Sequence, residues 1–143
     1  MIKSFDPKLS LLKEVRTCAE AAKERGIPLK MELKTLFLCA DDLLIAAHLR
    51  GCDRLNNRSI KRLFKVRNLT FASPNFIRSL GLEMGRINPW SVPDHAKHIV
   101  DTAVLEEDSM ATNNGTLTGT TLVDIKSFLN QPSIQVHTIR VIV

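Results

Sequence analysis

The chain has no tyrosine, one tryptophan and only 5% aromatic residues, which removes the stacked-ring platform on which single-stranded nucleic acids are held. Cysteine is scarce too: Cys18, Cys39 and Cys52 are odd in number, far apart and form no Cys-x-x-Cys pair. That pattern argues against a disulfide framework or a zinc site, and the three read as buried thiols. No apolar run approaches the ~20 residues of a membrane span. The start, Met1-Ile-Lys-Ser-Phe-Asp-Pro, lacks the apolar core and cleavage site of a secretory signal, so a cytoplasmic protein with no membrane partner is expected. His48, His95, His98 and His137 lack metal-ligand spacing. There is no Gly-x-Ser-x-Gly elbow, no Walker loop and no dinucleotide fingerprint, so neither a metal nor another cofactor is expected.

What is present is an ordinary globular composition: 143 residues, 44% apolar and 24% charged. This length suits one domain, residues 1–143, with a real core. Twenty Lys plus Arg against fifteen Asp plus Glu give a net charge of +5 and a pI near 9.4, which permits a polyanionic partner.

Patterning predicts short alternating elements. Asp6-Pro7 as cap and first turn, with Leu11, Leu12, Val15, Cys18, Ala19 and Ala22 at helical spacing, predicts one helix over roughly 7–25, closed by Gly26. Leu29–Ala40 and Leu43–Arg50 around Asp41-Asp42 predict a hairpin covered on both faces, with a helix over Leu43–Leu49 as the alternative. Asn56, Asn57 or Ser59 can cap a helix through Ile60–Phe64. A strand at Leu69–Ala72 and a helix from Ser73-Pro74 to Leu80 follow. Further on come strands near His98–Asp101 and Leu117–Val123, a helix over Asp124–Leu129, and a last strand over Ile134–Val143.

Three stretches could carry chemistry. Gly81-Leu-Glu-Met-Gly-Arg-Ile-Asn-Pro-Trp90 has two glycines four apart and an Asn-Pro step, the makings of a sharp turn with accessible amides, although a plain connecting turn also fits. Lys34 lies in an apolar strand beside Leu36 and Leu38, so its ammonium must snorkel, find a partner or line a cavity; an edge-strand lysine that deters aggregation is the plainer reading. Lys61 reads by itself as an exposed helix lysine. Thr112-Asn-Asn-Gly-Thr116 can gather several N–H groups into one concavity, or be a simple β-turn.

The order of these pieces carries more than any one of them. Lys34-Thr35-Leu36 comes first, then Gly51 with Arg54-Leu55-Asn56 and Lys61, then Gly81-x-x-x-Gly85-x-x-x-Pro89. Ile99-Val100-Asp101 and Asn113-Asn114-Gly115, leading into Asp124 and Leu129, complete the set. Over roughly residues 10–130 this series resembles the YbaK family, which includes the editing domain inserted in bacterial prolyl-tRNA synthetases.

The resemblance implies an α+β domain, a curved mixed β-sheet flanked by short helices. It also implies a hydrolase that removes a wrongly attached amino acid from tRNA, acting in trans on species such as alanyl- or cysteinyl-tRNA for proline. The partners implied are the aminoacylated 3′ end of tRNA and an aminoacyl-tRNA synthetase. By the same resemblance Lys61, or Lys65 one turn on, holds the terminal adenosine and its ester. Gly85, Arg86, Ile87, Asn88 and Pro89 form one wall of the pocket, and Asn113, Asn114, Gly115 and Thr118 the other, with Lys34 and Thr35 near both. Thr118 stands where the prolyl-synthetase domains carry a histidine. An activated ester needs neither metal nor serine, because a positioned water, the adjacent ribose hydroxyl and N–H donors aimed at the oxyanion can suffice. Two other functions fit the same elements: a tRNA- or nucleotide-binding module without turnover, and a hydrolase of a small amino-acid derivative.

Overall fold

The computed structural model describes residues 5–142. Its backbone is a five-stranded mixed sheet, curved and open, in the order β3-β1-β2-β4-β7, with a separate two-stranded ribbon β5-β6. The hairpin at its centre is β1 (Leu33–Ala40) and β2 (Leu43–Arg50), paired residue for residue from Leu33 with Arg50 to Ala40 with Leu43. Asp41, in the left-handed region at φ 52°, makes the tight reversal. The helical alternative for Leu43–Leu49 is thereby excluded.

Both faces of this hairpin are buried, as the two-sided apolar pattern predicts. One face carries Leu38, Ile45, Ala47 and Leu49, joined by Ile99 of β4 (Lys97–Asp101) and covered by Ile60 of α2 (Asn57–Phe64) and by Ile139. Asn56 caps α2 by accepting from the Arg58 amide at 3.1 Å. The other face carries two clusters. Phe37, Leu44 and Ala46 meet Ile77 of α3 (Pro74–Ser79), while Leu33 and Val100 meet Met110 of β5 (Ser109–Thr112), Val123 of β6 (Thr121–Asp124) and Phe128 of α4 (Ile125–Leu129). Fully burying each such side chain contributes about 1.5–3 kcal/mol. The short strand β3 (Thr70–Phe71) pairs with β1 only at Leu38 and Cys39, and β7 (Ile134–His137) runs parallel to β4 at the other edge.

The largest departure from expectation is at the N-terminus. The helix α1 spans only Cys18–Arg25, capped by Thr17, whose hydroxyl accepts from the Glu20 amide at 3.1 Å while Glu20 accepts from the Thr17 amide at 3.2 Å. This is a reciprocal capping box. Residues 5–16 are irregular, with one isolated bridge from Ser10 to Gly119 and the Leu11 and Val15 amides donating to the carbonyls of Thr118 and Leu117, each at 2.8 Å. Leu11 and Val15 are buried by this anchoring and not by a helical turn. The terminal strand is likewise shorter than expected, ending at His137, and Val143 lies outside the described residues. The three thiols are not all buried: Cys52 is exposed, and Cys18 and Cys39 are intermediate.

Asp101 closes the structure. Fully buried, it accepts from the amides of Ala103, Ile139 and Arg140 at 2.9, 2.8 and 3.0 Å and from the Arg140 guanidinium at 2.9 Å. These bonds hold the chain after β7 against β4, and the Val141 amide then reaches the Arg54 carbonyl at 2.7 Å. Removing one partner from such a buried charged cluster leaves the others unpaired. Asp101→Ala is therefore expected to lose about 3–5 kcal/mol of stability in urea unfolding.

Candidate active site

β1 is paired along its whole length on one edge only. The Ala72 amide donates to the Phe37 carbonyl at 2.9 Å, which fixes the outer edge. By the alternation of an antiparallel pair, the N–H and C=O of Thr35 face the same way. β3 does not reach that far, and at the other end of the strand Glu32 forms an isolated bridge with Ala111. Between them lies a cavity of about 190 Å³.

Five of the residues singled out in the sequence line this cavity together: Lys34, Thr35, Gly85, Ile87 and Asn113. The two loops that supply the last three are sewn to one another. The Asn113 side-chain amide donates to the Ile87 carbonyl at 2.7 Å, and that of Asn88 donates to the Asn113 carbonyl at 3.3 Å. Asn88 is itself locked by accepting from the Trp90 and Ser91 amides at 2.9 and 3.0 Å. Asn88 and Pro89 are thus buried behind the wall and do not line it. At Gly85, φ is +85°, and an added Cβ would stand 3.3 Å from Leu117 and 3.4 Å from the Arg16 backbone. Glycine is required there by conformation as well as by space.

The remaining expected residues do not line the cavity. Lys61 is half-buried on α2, and Lys65 is the exposed, left-handed residue that ends it. Arg86 is exposed and lies 3.6 Å from Glu83. Asn114 turns back to accept from Thr116, while Gly115 donates its amide to Asn113 at 2.9 Å. Thr118 uses its carbonyl to hold Leu11, and Trp90 is half exposed with its ring tilted against Phe128.

Sequence reasoning missed the side of the cavity that the N-terminal stretch provides. Arg16, Thr17, Cys18 and Arg25 line it, together with Glu32. Arg25 and Glu32 form a buried pair at 2.6 Å, and Arg25 also donates to the Thr120 hydroxyl at 2.6 Å and the Gly119 carbonyl at 2.9 Å. Burial pushes the Glu32 carboxyl above its usual range, against the pull of Arg25. Lys34 donates its ammonium to the Asp53 carbonyl, an acceptor that holds the cation without neutralising it.

A second polar chain leads away from the cavity. The Thr35 hydroxyl bonds His48 Nδ1 at 2.9 Å, and His48 Nε2 bonds His98 Nδ1 at 3.0 Å, all on one face of β1, β2 and β4. Phe128 meets the His48 ring edge-on at 5.3 Å. Burial, reinforced by His98, lowers His48 from 6.5 to about 3, and burial lowers His98 as well. A neutral His48 can donate to or accept from Thr35, and so fixes the orientation of that hydroxyl at the cavity.

The comparisons agree with this architecture. The sequence profile of the aminoacyl-tRNA editing domain matches residues 13–130, and the chain belongs to that family, a class of hydrolases that deacylate aminoacyl-tRNA. Among solved structures, the hypothetical protein APE2540 is 24% identical, with a TM-score of 0.85 over 92% of this chain and 89% of that one. A candidate trans-editing enzyme for prolyl-tRNA synthetase is 22% identical, with a TM-score of 0.82 over 92% and 84%. These two likenesses establish the fold. No curated protein matches the chain.

Two outcomes are expected. Gly85→Ala forces a side chain into the left-handed region, at a cost of about 1–2 kcal/mol. It is expected to lower deacylation by much more than the small drop in melting temperature would account for. His48 provides the second. Between about pH 3 and 6.5 the unfolded chain binds a proton at this position that the folded chain does not. The stability due to neutral His48 is complete above about 6.5 and is lost as pH falls toward about 3. Melting temperatures measured from pH 7 to 4 should fall less steeply for His48→Gln than for the wild type.

Proposed function

We propose that this protein deacylates mischarged tRNA in trans, in the cytosol, with residues 1–143 working as one domain. Its substrates are small aminoacyl groups on tRNA of the proline system, such as alanyl or cysteinyl. The observation that carries this reading is the convergence of Lys34, Thr35, Gly85, Ile87 and Asn113, from three distant parts of the chain, on one small cavity. Its volume of about 190 Å³ suits a small side chain.

The chemistry asks little beyond positioning. The ester carbonyl needs donors where its oxygen becomes an oxyanion, and the Thr35 edge of β1 and the Gly85 loop offer backbone groups at that wall. Lys34 supplies the cation that the resemblance assigns to Lys61. It lines the cavity, and Lys61, on α2, does not. Arg16, exposed and paired with Glu14 at 3.1 Å, can exchange that partner for a terminal phosphate, and a net charge of +5 favours the acceptor stem. A water oriented by the adjacent ribose hydroxyl then attacks the carbonyl carbon; the bond from that carbon to the ribose oxygen breaks, the ribose oxygen takes up the proton that the water gives, and the amino acid leaves as the free acid.

The test is a panel of mischarged tRNAs followed by ester loss, with two variants. Alanyl- or cysteinyl-tRNA of the proline system should be turned over fastest. Lys34→Ala is expected to lower kcat/KM by ~10²-fold or more, while Lys61→Ala keeps activity within a few-fold. No hydrolysis of any ester at high protein concentration would sink the reading. Loss of activity in Lys61→Ala alone would return the catalytic cation to α2.

A further inference from the structure

Glu32 is 2% exposed, and only one of its two carboxylate oxygens is used. Oε1 receives Arg25 Nη1 at 2.6 Å, whereas Oε2 is buried with no hydrogen-bond partner among the described residues. Arg25 engages its other donors with Thr120 and the Gly119 carbonyl. A buried oxygen left without a donor is rare and costly in native proteins, unless a ligand completes it. Glu32 lines the cavity, so a ligand there can do so.

The surrounding charge says what kind of ligand group fits. Arg16, Arg25 and Lys34 line the same cavity, Arg16 paired with Glu14 at 3.1 Å and Arg25 with Glu32, and among the described residues Glu32 is the one carboxylate in the lining. An aminoacyl ester carries an ammonium on the carbon next to its carbonyl. With each of the three cations already engaged, the open oxygen of Glu32 is the acceptor that such an ammonium meets at this wall. Glu32, the residue before β1, and Lys34 on it are two residues apart and both line the cavity. Cys18 beside them is no competitor, because burial, with Glu32 adding to it, raises its thiol to about 11 and keeps it neutral. Gly51 makes the room: a Cβ there would press on the Cβ atoms of Cys18 and Glu32, both at 3.1 Å, and on the Leu29 carbonyl at 2.8 Å.

We infer that Glu32, held by Arg25, receives the α-ammonium of the substrate, so that the site selects esters with a free amino group over otherwise identical esters without one. The inference rests on the deacylase reading and extends it to the class of acyl group admitted. It makes Glu32 a specificity residue, and Arg25 the positioning residue that holds it.

The experiment compares alanyl-tRNA with lactyl-tRNA, in which a hydroxyl replaces the ammonium at nearly constant shape, and seryl-tRNA with glyceroyl-tRNA as a second pair. Each rate is divided by the spontaneous hydrolysis rate of the same ester. The wild type should prefer the amino member of a pair by about tenfold or more, the worth of a charge-assisted bond. In Glu32→Gln that preference should collapse toward unity, through loss of rate on the amino ester. Equal normalised rates in the wild type, or a preference that survives in Glu32→Gln, would overturn the inference and leave the deacylase reading standing. If no ester in either pair or in the wider panel is hydrolysed, the deacylase reading falls and this inference with it. Should Glu32→Gln lose its cooperative melting transition, the wild-type ratio decides alone.

Discussion

The outer edge of β1 is the constraint on which the rest of the site depends. A strand edge must satisfy its amides and carbonyls or leave them to water and ligands. Here one end is taken by β3 and the other by the bridge from Glu32 to Ala111. The stretch between them around Thr35 is left to the cavity. Everything nearby serves to keep that gap open at a fixed width. The Asn88 and Asn113 amides lash the two loops into one wall, and Gly85 lets that wall approach the Arg16 backbone.

The opposite side of the gap is held by charge. Arg25 reaches from α1 to Glu32 on the bridge side and to Gly119 and Thr120 beyond it, so that one guanidinium ties the N-terminal segment, the start of β1 and the loop before β6 together. A buried ion pair is not a strong source of stability, because desolvation offsets most of the attraction. Its persistence at the cavity is easier to understand if it orients a carboxylate for a ligand. The polar row from Thr35 through His48 to His98 plays a comparable part on the next face, where it fixes one hydroxyl without adding a charge.

Much of this fold was legible in the chain. The hairpin around Asp41-Asp42, the cap at Asn56 and the Ser73-Pro74 helix start all stand where local chemistry put them, because turn and cap signals act over a few residues. The apolar spacing of Leu11 and Val15 reads as helical, but both are anchored by distant carbonyls that no local pattern shows, and the helix starts at the capping box Thr17-Cys-Ala-Glu20. Ser109–Thr112 was missed as a strand, since four residues carry too little periodicity. Motif order singles out Lys34, Gly85 and Asn113, which line one cavity. It does not single out Arg25 and Glu32, since each looks like an ordinary helix or turn charge until the fold brings them together. Lys61, expected from motif position, sits on α2 and does not line the cavity.

The central claim is that the reacting ester sits at the β1 edge beside Lys34 and not over α2. The most direct measurement is an amide chemical-shift map recorded with a non-hydrolysable adenosine carrying a 3′-amide-linked alanine. The account predicts shifts concentrated at Lys34, Thr35, Gly85 and Asn113, with Glu32 responding to the free amine. Shifts centred on Lys61 and its neighbours, with the β1 edge silent, would contradict it.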